Sequence, residues 1–250
     1  MIKLFDYAMD IGEQMLISGA EVHRVEESIS RICYAFGAAR VDVFIITSSM
    51  VVTIHTNDGK SYTQTRRVTS ANTNYERLHR LNQLSRDICE MHLTEQEIEN
   101  KLNDAVNCNK FPFWLELACY SLIAGAFTLF FGGSAIEALI SFIIGAVVRL
   151  STFFFHKIIS NNIFYKFFST VMATFLAFLA VKSGWIPNMD MVIIGNIMPL
   201  IPGIGLTNAL RDLFTGDSIA GLLRTIEAVL TALAIAAGYF LAALLGGFAL

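Results

Sequence analysis

The second part of this chain repeats one pattern five times: a run of about 20 apolar residues, the length needed to cross a hydrocarbon core ~30 Å thick. The runs cover about 112–131, 135–154, 163–183, 190–210 and 219–246. Such a chain has few folds open to it. Main-chain polar groups inside a bilayer must be satisfied by the protein itself, and a helix does so within its own segment. Charge obeys the same division: residues 1–110 hold 12 Lys/Arg and 15 Asp/Glu, whereas residues 111–250 hold 6 of each. The chain reads as two domains. Residues 1–110 form a cytoplasmic α+β domain, and residues 111–250 form a five-helix transmembrane domain, so the fold class is an α-helical polytopic membrane protein.

The soluble segment has its own punctuation. Residues 3–36 read as two helices, with Ser18-Gly-Ala-Glu21 as a capping box before the second and Gly37 at its end. Val22, Val25, Ile29, Ile32 and Phe36 recur at helical spacing and make one apolar face. Val41–Thr47, Val51–Thr56 and Ser61–Val68 read as strands, with Asn57-Asp58-Gly59 as a turn. Helices over Asn74–Met91 and Glu95–Val106 follow, the later one opened by a capping box at Thr94 and Glu97. The predicted order is ααβββαα.

Several function classes fall away. Neither part is basic, so a nucleic-acid binder lacks its electrostatic footprint. The first residues lack the apolar core and small-residue cleavage site of a signal peptide. Cys33, Cys89, Cys108 and Cys119 follow no disulfide spacing, which fits a reducing cytoplasm. Cys89-x-x-His92 offers half a metal site, and no second pair follows it. The acids beside His23, namely Glu26 and Glu27, lack the second His of an inverted zincin motif and read as a solvated helix face. No phosphate loop or nucleophile elbow is present either, so neither an enzyme, a metal site nor a bound cofactor is expected.

The fourth apolar run carries the strongest functional signal. Pro199, Pro202, Gly203 and Gly205 fall within seven residues and remove two amide donors, so a regular helix cannot continue through them. Main-chain groups freed at membrane depth are satisfied by protein, water or ligand, and broken helices of this kind build substrate sites in secondary transporters. A half-helix starting after Gly205 points its positive end at the break, which suits a carboxylate. The candidate binding set is Asn196, Pro199, Pro202, Gly203, Gly205, Asn208, Arg211 and Asp212. The alternative is a proline-kinked structural helix, or one that ends and restarts at the surface.

Charges within apolar helices are the second signal, because each costs ~2.5–3.5 kcal/mol at a helix centre. Glu137, Ser141, Gly145 and Arg149 step by four along the second run and form a polar stripe. Glu137 and Arg149 lie ~18 Å apart along the helix axis and must find other partners, in Arg211/Asp212, Arg224/Glu227 or another subunit. Arg224 and Glu227, three apart, are placed to pair with each other. Glu137 and Glu227 are candidates for proton coupling, and the arginines are candidates either for function or for snorkelling to the interface. Small residues on the fifth run, Ala228, Ala232, Ala236 and Gly238, Ala242, Gly246, allow close helix approach. With the N-terminus inside, Arg149, Lys157, Lys166, Arg211 and Arg224 face the cytoplasm and only Lys182 lies outside. The positive-inside rule then puts the C-terminus on the extracytoplasmic side.

Taken in order, Ser18-Gly-Ala-Glu-Val-His-Arg-Val-Glu-Glu27, Val41-Asp-Val-Phe-Ile-Ile-Thr47, Thr65-Arg-Arg-Val68, Leu81-Asn-Gln-Leu-Ser-Arg86, Pro199-x-x-Pro-Gly203 and Asn208-x-x-Arg-Asp212 resemble the N-terminal module of the threonine/serine exporter family. The resemblance implies an exporter in the bacterial inner membrane, driven by the proton motive force. Its cargo is a small carboxylate, either threonine and serine or a dicarboxylate such as succinate. The family occurs as one long chain of two modules or as two chains working together. The second module is therefore expected as a smaller membrane subunit, with homo-oligomerisation a further possibility. A dicarboxylate favours a second cation, for which Arg149 or Arg211 is available. A non-transporting assembly or regulatory subunit, and more remotely a membrane-embedded enzyme, are the competing classes.

Overall fold

The computed structural model describes residues 2–69, 73–91, 93–108, 111–155 and 161–247. Lys157, counted in the charge balance across the membrane, lies outside them, as do His92 and Lys110. The chain divides into two compact units. The first combines Met1–Asn109 with Ile204–Thr225, and the second combines Lys110–Gly203 with Ile226–Leu250. Residues 204–225, which a division at residue 110 assigns to the membrane domain, thus group with the N-terminal residues.

The first unit opens with α1 (Ile2–Ile17) and α2 (Val22–Ala35). Ser18 does not cap α2, which is a correction to the capping-box reading. Gly19 adopts φ +91°, and the amides of Gly19 and Ala20 donate to the carbonyls of Leu16 and Met15 at 3.1 Å each. This is the paired closure of a helix C-terminus, available to glycine because it tolerates a positive φ. Ser18 Oγ also turns back, donating to Gln14 O at 2.7 Å. The Ser-Gly sequence therefore stops α1, and α2 begins at Glu21 without a side-chain cap of its own.

Three strands follow, β1 (Arg40–Ile46), β2 (Ser49–His55) and β3 (Ser61–Arg67), paired antiparallel in the order β1-β2-β3. Val43 stands opposite Val52, and Ile45 opposite Met50. With a side-chain period of two, this register puts Val41, Val43, Ile45, Met50, Val52 and Ile54 on one face, packed with α1 and α2 in a single core. On β3 Tyr62 packs against that core, and the next two residues of this face are polar and are met by acids of α1: Gln64 bonds Asp6, and Arg66 bonds Asp10 at 3.1 Å. Glu26, assigned to the solvated face of α2, is half-buried and accepts the Ile45 amide at 3.1 Å, whereas His23 and Glu27 are exposed. Helices α3 (Tyr75–Met91) and α4 (Glu95–Val106) complete the N-terminal section. The Thr94–Glu97 capping box opens α4.

The second unit holds α5 (Phe113–Phe130), α6 (Ala135–Phe155), α7 (Asn162–Lys182), α8 (Asp190–Ile197) and most of α10 (Ser218–Gly246). Between α8 and α10 lie a single 3₁₀ turn, Met198–Leu200, and α9 (Gly203–Thr215). Among the described residues, four helices, α5, α6, α7 and α10, are long and apolar enough to cross a membrane, and α8 with α9 makes a fifth if taken as one broken span. Trp114, Leu122, Phe130, Ile136 and Leu139 are exposed, as befits side chains facing lipid. The fold is that of a polytopic helical membrane protein with a small N-terminal three-stranded sheet.

Small residues let the helices of this unit touch along their backbones. A methyl group on Gly195 of α8 would fall 2.2 Å from Thr128 Oγ1 and 2.5 Å from the Ala124 carbonyl of α5. Of the two stripes on α10, Gly238 lies against α7, where an added carbon would sit 2.6 Å from Phe167 O, and Ala242 is buried. Ala228 is buried too, but Ala232 and Ala236 are exposed.

Two outcomes are expected. Gly195→Ala should destabilise the helical unit by ~1–3 kcal/mol through overpacking, whereas Gly203→Ala, with nothing within 4 Å of the added carbon, should not. Thermal melts in detergent distinguish the two variants, and equal melting temperatures contradict the α5–α8 packing. Secondly, the Lys101 ammonium bonded to Asp87 holds that carboxyl below the usual carboxylate range. A depressed carboxyl lends stability above its unfolded value near ~3.9 and loses it as pH falls towards the folded value. Asp87→Asn should therefore cost melting temperature at pH 6 and progressively less at pH 4 and below.

Candidate functional site

The polar stripe expected on α6 exists, and it faces α5 and α8. Its four positions have different duties. Glu137 sits in the first turn, where its Oε2 accepts the Ser134 amide at 2.7 Å while its own amide donates to Ser134 Oγ at 3.3 Å. That is a capping box at the helix N-terminus, so this carboxylate closes α6, and its geometry lends no support to proton coupling. Arg149, near the other end, pairs with Glu116 of α5 and also donates to Thr152 Oγ1 at 3.4 Å. Glu116 is not among the partners expected for Arg149 within the chain.

Ser141 and Gly145 lie between these ends, opposite Asn196 of α8. Ser141 donates to Ala124 O at 3.1 Å and accepts from Asn196 Nδ2 at 2.9 Å. The same Nδ2 donates to Val192 O at 2.9 Å. Because Ser141 has given its only hydrogen to a carbonyl, both neighbours of this amide are acceptors, which fixes its orientation. Tyr120 donates to the main-chain oxygen of Asn196 at 3.5 Å. Glu116, Tyr120, Ala124 and Thr128 step by four along α5 and answer the stripe on α6. The two stripes enclose a polar seam in an otherwise apolar group of helices. Asn196, Ser141 and Thr128 are fully buried within it.

The interruption in the fourth run follows its prolines. Pro199 lacks the donor that a continuous helix would aim at Gly195 O, and Ile201 takes the extended conformation (ψ 130°) favoured before Pro202. The Met198 carbonyl is met by the Ile201 amide at 3.3 Å. Gly203 and Gly205 are exposed in the opening turn of α9.

The remaining three candidates belong to the first unit and hold its α1–α2 corner. Asn208 donates to Gly19 O at 3.4 Å, and Arg211 pairs with Glu21. Asp212 Oδ1 accepts the Val22 amide at 3.3 Å, so a residue 190 positions away supplies the N-terminal acceptor that α2 lacks locally. Arg224 of α10 pairs with Asp212 Oδ2 at 3.0 Å and donates to Ala20 O at 2.7 Å. The expected Arg224–Glu227 pair does not form. Arg224 is turned to the buried Asp212, and the exposed Glu227 has no side-chain partner among the described residues. The candidate set thus separates: Asn196 lies in the seam, Pro199, Pro202, Gly203 and Gly205 make the interruption, and Asn208, Arg211 and Asp212 grip a turn. Sequence reasoning missed Glu116 as the partner of Arg149, although the Glu116–Tyr120–Thr128 spacing carries the signal.

A group of apolar helices with a buried polar seam, in a chain with a small N-terminal α+β section, defines a polytopic helical membrane protein. Residues 6–246 match the family described as "Putative threonine/serine exporter", and the chain belongs to that family. It is similar to the "Threonine/serine exporter" of Corynebacterium glutamicum, 24% identical over 94% of this chain and 50% of that protein. It is also similar to the "Probable succinate transporter subunit YjjP" of Klebsiella aerogenes, 24% identical over 93% of this chain and 90% of that one. A "Probable threonine/serine exporter" of Mycobacterium tuberculosis is 22% identical over 94% of this chain and 45% of its own length. The chain spans about half the length of those two exporters. No solved structure matches it.

The Asp212–Arg224 pair has side chains 1% and 14% exposed, so removing one partner strands a buried charge. Asp212→Ala should cost ~3–5 kcal/mol. Asp212→Ala combined with Arg224→Ala should cost less than the two single losses added together, as a double-mutant cycle on the purified chain can read. Strict additivity means that the pair is not coupled.

Proposed function

We propose that this chain is one subunit of a secondary exporter that moves small carboxylate metabolites out of a bacterial cell: threonine and serine, or a dicarboxylate such as succinate. The export is driven by the proton motive force and needs a second, smaller membrane subunit. The N-terminus lies in the cytoplasm and the C-terminus outside, with the bulk of the lysines and arginines on the inner side. Family membership supports export as the activity. The name of the Klebsiella aerogenes relative, a transporter subunit of which the chain covers 90%, supports a partner subunit.

The observation that carries the reading is the seam between α5, α6 and α8. Glu116–Arg149 at one end offers a guanidinium already engaged with a carboxylate, the chemistry that a carboxylate substrate needs. Asn196 and Ser141 add neutral hydrogen-bonding groups in the apolar interior. Asn208, Arg211 and Asp212 serve the α1–α2 corner, so the reading rests on the seam and not on the turns around Gly205.

Cells expressing this chain with its partner, loaded with threonine, serine or succinate, should release at least one of them several-fold faster than cells lacking either subunit. Arg149→Gln should slow that release about tenfold or more, equivalent to ~1.4 kcal/mol or more of lost transition-state binding. Unchanged efflux of all three solutes removes export as the function. Efflux that survives Arg149→Gln intact removes the seam as its site.

A further inference from the structure

Helix α9 is held on two sides and open on a third. Asn208 and Asp212 turn to the α1–α2 corner. Ala209 and Leu213 back onto α10, where a carbon added to Gly221 would fall 2.8 Å from Ala209 O and 2.7 Å from Leu213 Cγ. Each residue turns a helix by ~100°, so Leu206, Leu210 and Phe214, which step by four, share the remaining side. All three are exposed, Phe214 by 88%. An apolar stripe of this kind normally faces a core, and one left outside it marks an interaction surface.

Charge, length and continuity identify the partner as lipid that α9 touches without crossing. Arg211, Asp212, Asp217, Arg224 and Glu227 crowd the stretch from α9 into α10, and each is expensive in hydrocarbon. Helix α10, with 29 residues, is ~43 Å long, whereas residues 226–246 alone reach ~31 Å and suffice for a core ~30 Å thick. Residues 218–225, which group with α9 and the N-terminal residues, are thus left at headgroup level. Ile219, Leu222 and Ile226 are exposed along one side of α10 and continue as Val229 and Leu233 in the crossing part. The lipid-facing side of α10 therefore runs down to Gly216 and Asp217, the short turn that joins it to α9.

We infer that α9 is an interfacial helix, lying along the bilayer surface with Leu206, Leu210 and Phe214 in the acyl boundary, and is not the second half of a crossing. Such a helix seats its apolar side ~5–10 Å into the boundary between headgroups and chains. Its polar side holds the α1–α2 corner at the membrane surface. The fourth apolar run then enters the bilayer only as α8 and the 3₁₀ turn. The inference concerns how the chain meets the membrane, and it stands whichever solute is carried.

The test places one tryptophan on the stripe of the full chain by Leu206→Trp, Leu210→Trp or Phe214→Trp, with Trp114→Phe and Trp185→Phe removing the native ones. The variants are read in vesicles of phosphatidylcholine and phosphatidylglycerol brominated at shallow or deep acyl carbons. Shallow bromines should quench all three tryptophans more strongly than deep ones, with positions 206 and 214 at the same depth. A crossing helix would separate those two positions by ~12 Å, and that result overturns the inference. Weak quenching by both lipids also overturns it, because water, a second copy or a partner subunit then covers the stripe. The unsubstituted chain gives a second reading. A phospholipid with a photoreactive diazirine near its headgroup should label residues 204–215, and one with the diazirine at the chain terminus should label residues 226–246 but not α9. Equal labelling of α9 by both lipids, or by neither, contradicts the in-plane placement.

Discussion

Inside a bilayer a polar group has no water to fall back on, and the α5–α6–α8 seam is organised by that scarcity. Ser141 gives its hydrogen to the Ala124 carbonyl and its lone pair to Asn196. Thr128 reaches the carbonyls of Ala124 and Met191 at 3.0 and 3.3 Å. Such bonds need helix backbones close together, and close backbones need residues without bulk at the crossing. Gly145 and Gly195 occupy those crossings, so the polar accounting and the steric one select the same positions. Among the described residues of the seam, the accounting does not close at Asn196 Oδ1.

The larger elements were legible because their signals are local and repetitive. A run of about 20 apolar residues, an alternation of period two or a capping box with its glutamate each depends on a few neighbouring side chains. The break at Pro199 and Pro202 belongs to the same kind, since a missing N–H is written in the residue itself. The pairings were less legible. Arg224 has an acid three residues on at Glu227 and another twelve residues back at Asp212, and helical spacing favours the nearer one. Burial decides otherwise, because Asp212 is also wanted by the uncapped amide of Val22. Ser18 was misread for a related reason: Ser-Gly before an amphipathic run fits both a helix start and a helix stop, and only the φ of Gly19 separates them.

The corner at residues 18–22 shows how a weak local end becomes a strong tertiary one. Four of its polar groups are answered from the segment 208–224: Gly19 O by Asn208, Ala20 O by Arg224, Glu21 by Arg211 and the Val22 amide by Asp212. The exposed Arg211–Glu21 pair contributes little by itself. The buried Asp212–Arg224 pair is another matter, since its charges are satisfied only while the corner keeps its shape. Two of the sequence stretches that carry the family resemblance are thus the two sides of one contact. Their joint presence says more about architecture than about cargo.

The three glutamates of the apolar helices make the same point about inferring function. Glu137, Glu116 and Glu227 share one side chain and one kind of environment, so membrane cost alone ranks them equally. Their neighbours separate them. Ser134, three residues before Glu137, turns that carboxylate into a cap with two local hydrogen bonds. Glu227 lies exposed two turns into α10, where a long side chain can reach the interface. Glu116 alone faces a guanidinium from another helix of the unit, and holding it there requires α5 and α6 to keep their register. Of the three, Glu116 is the carboxylate that is neither a cap nor a surface charge, and its pairing with Arg149 reports directly on the packing of two helices.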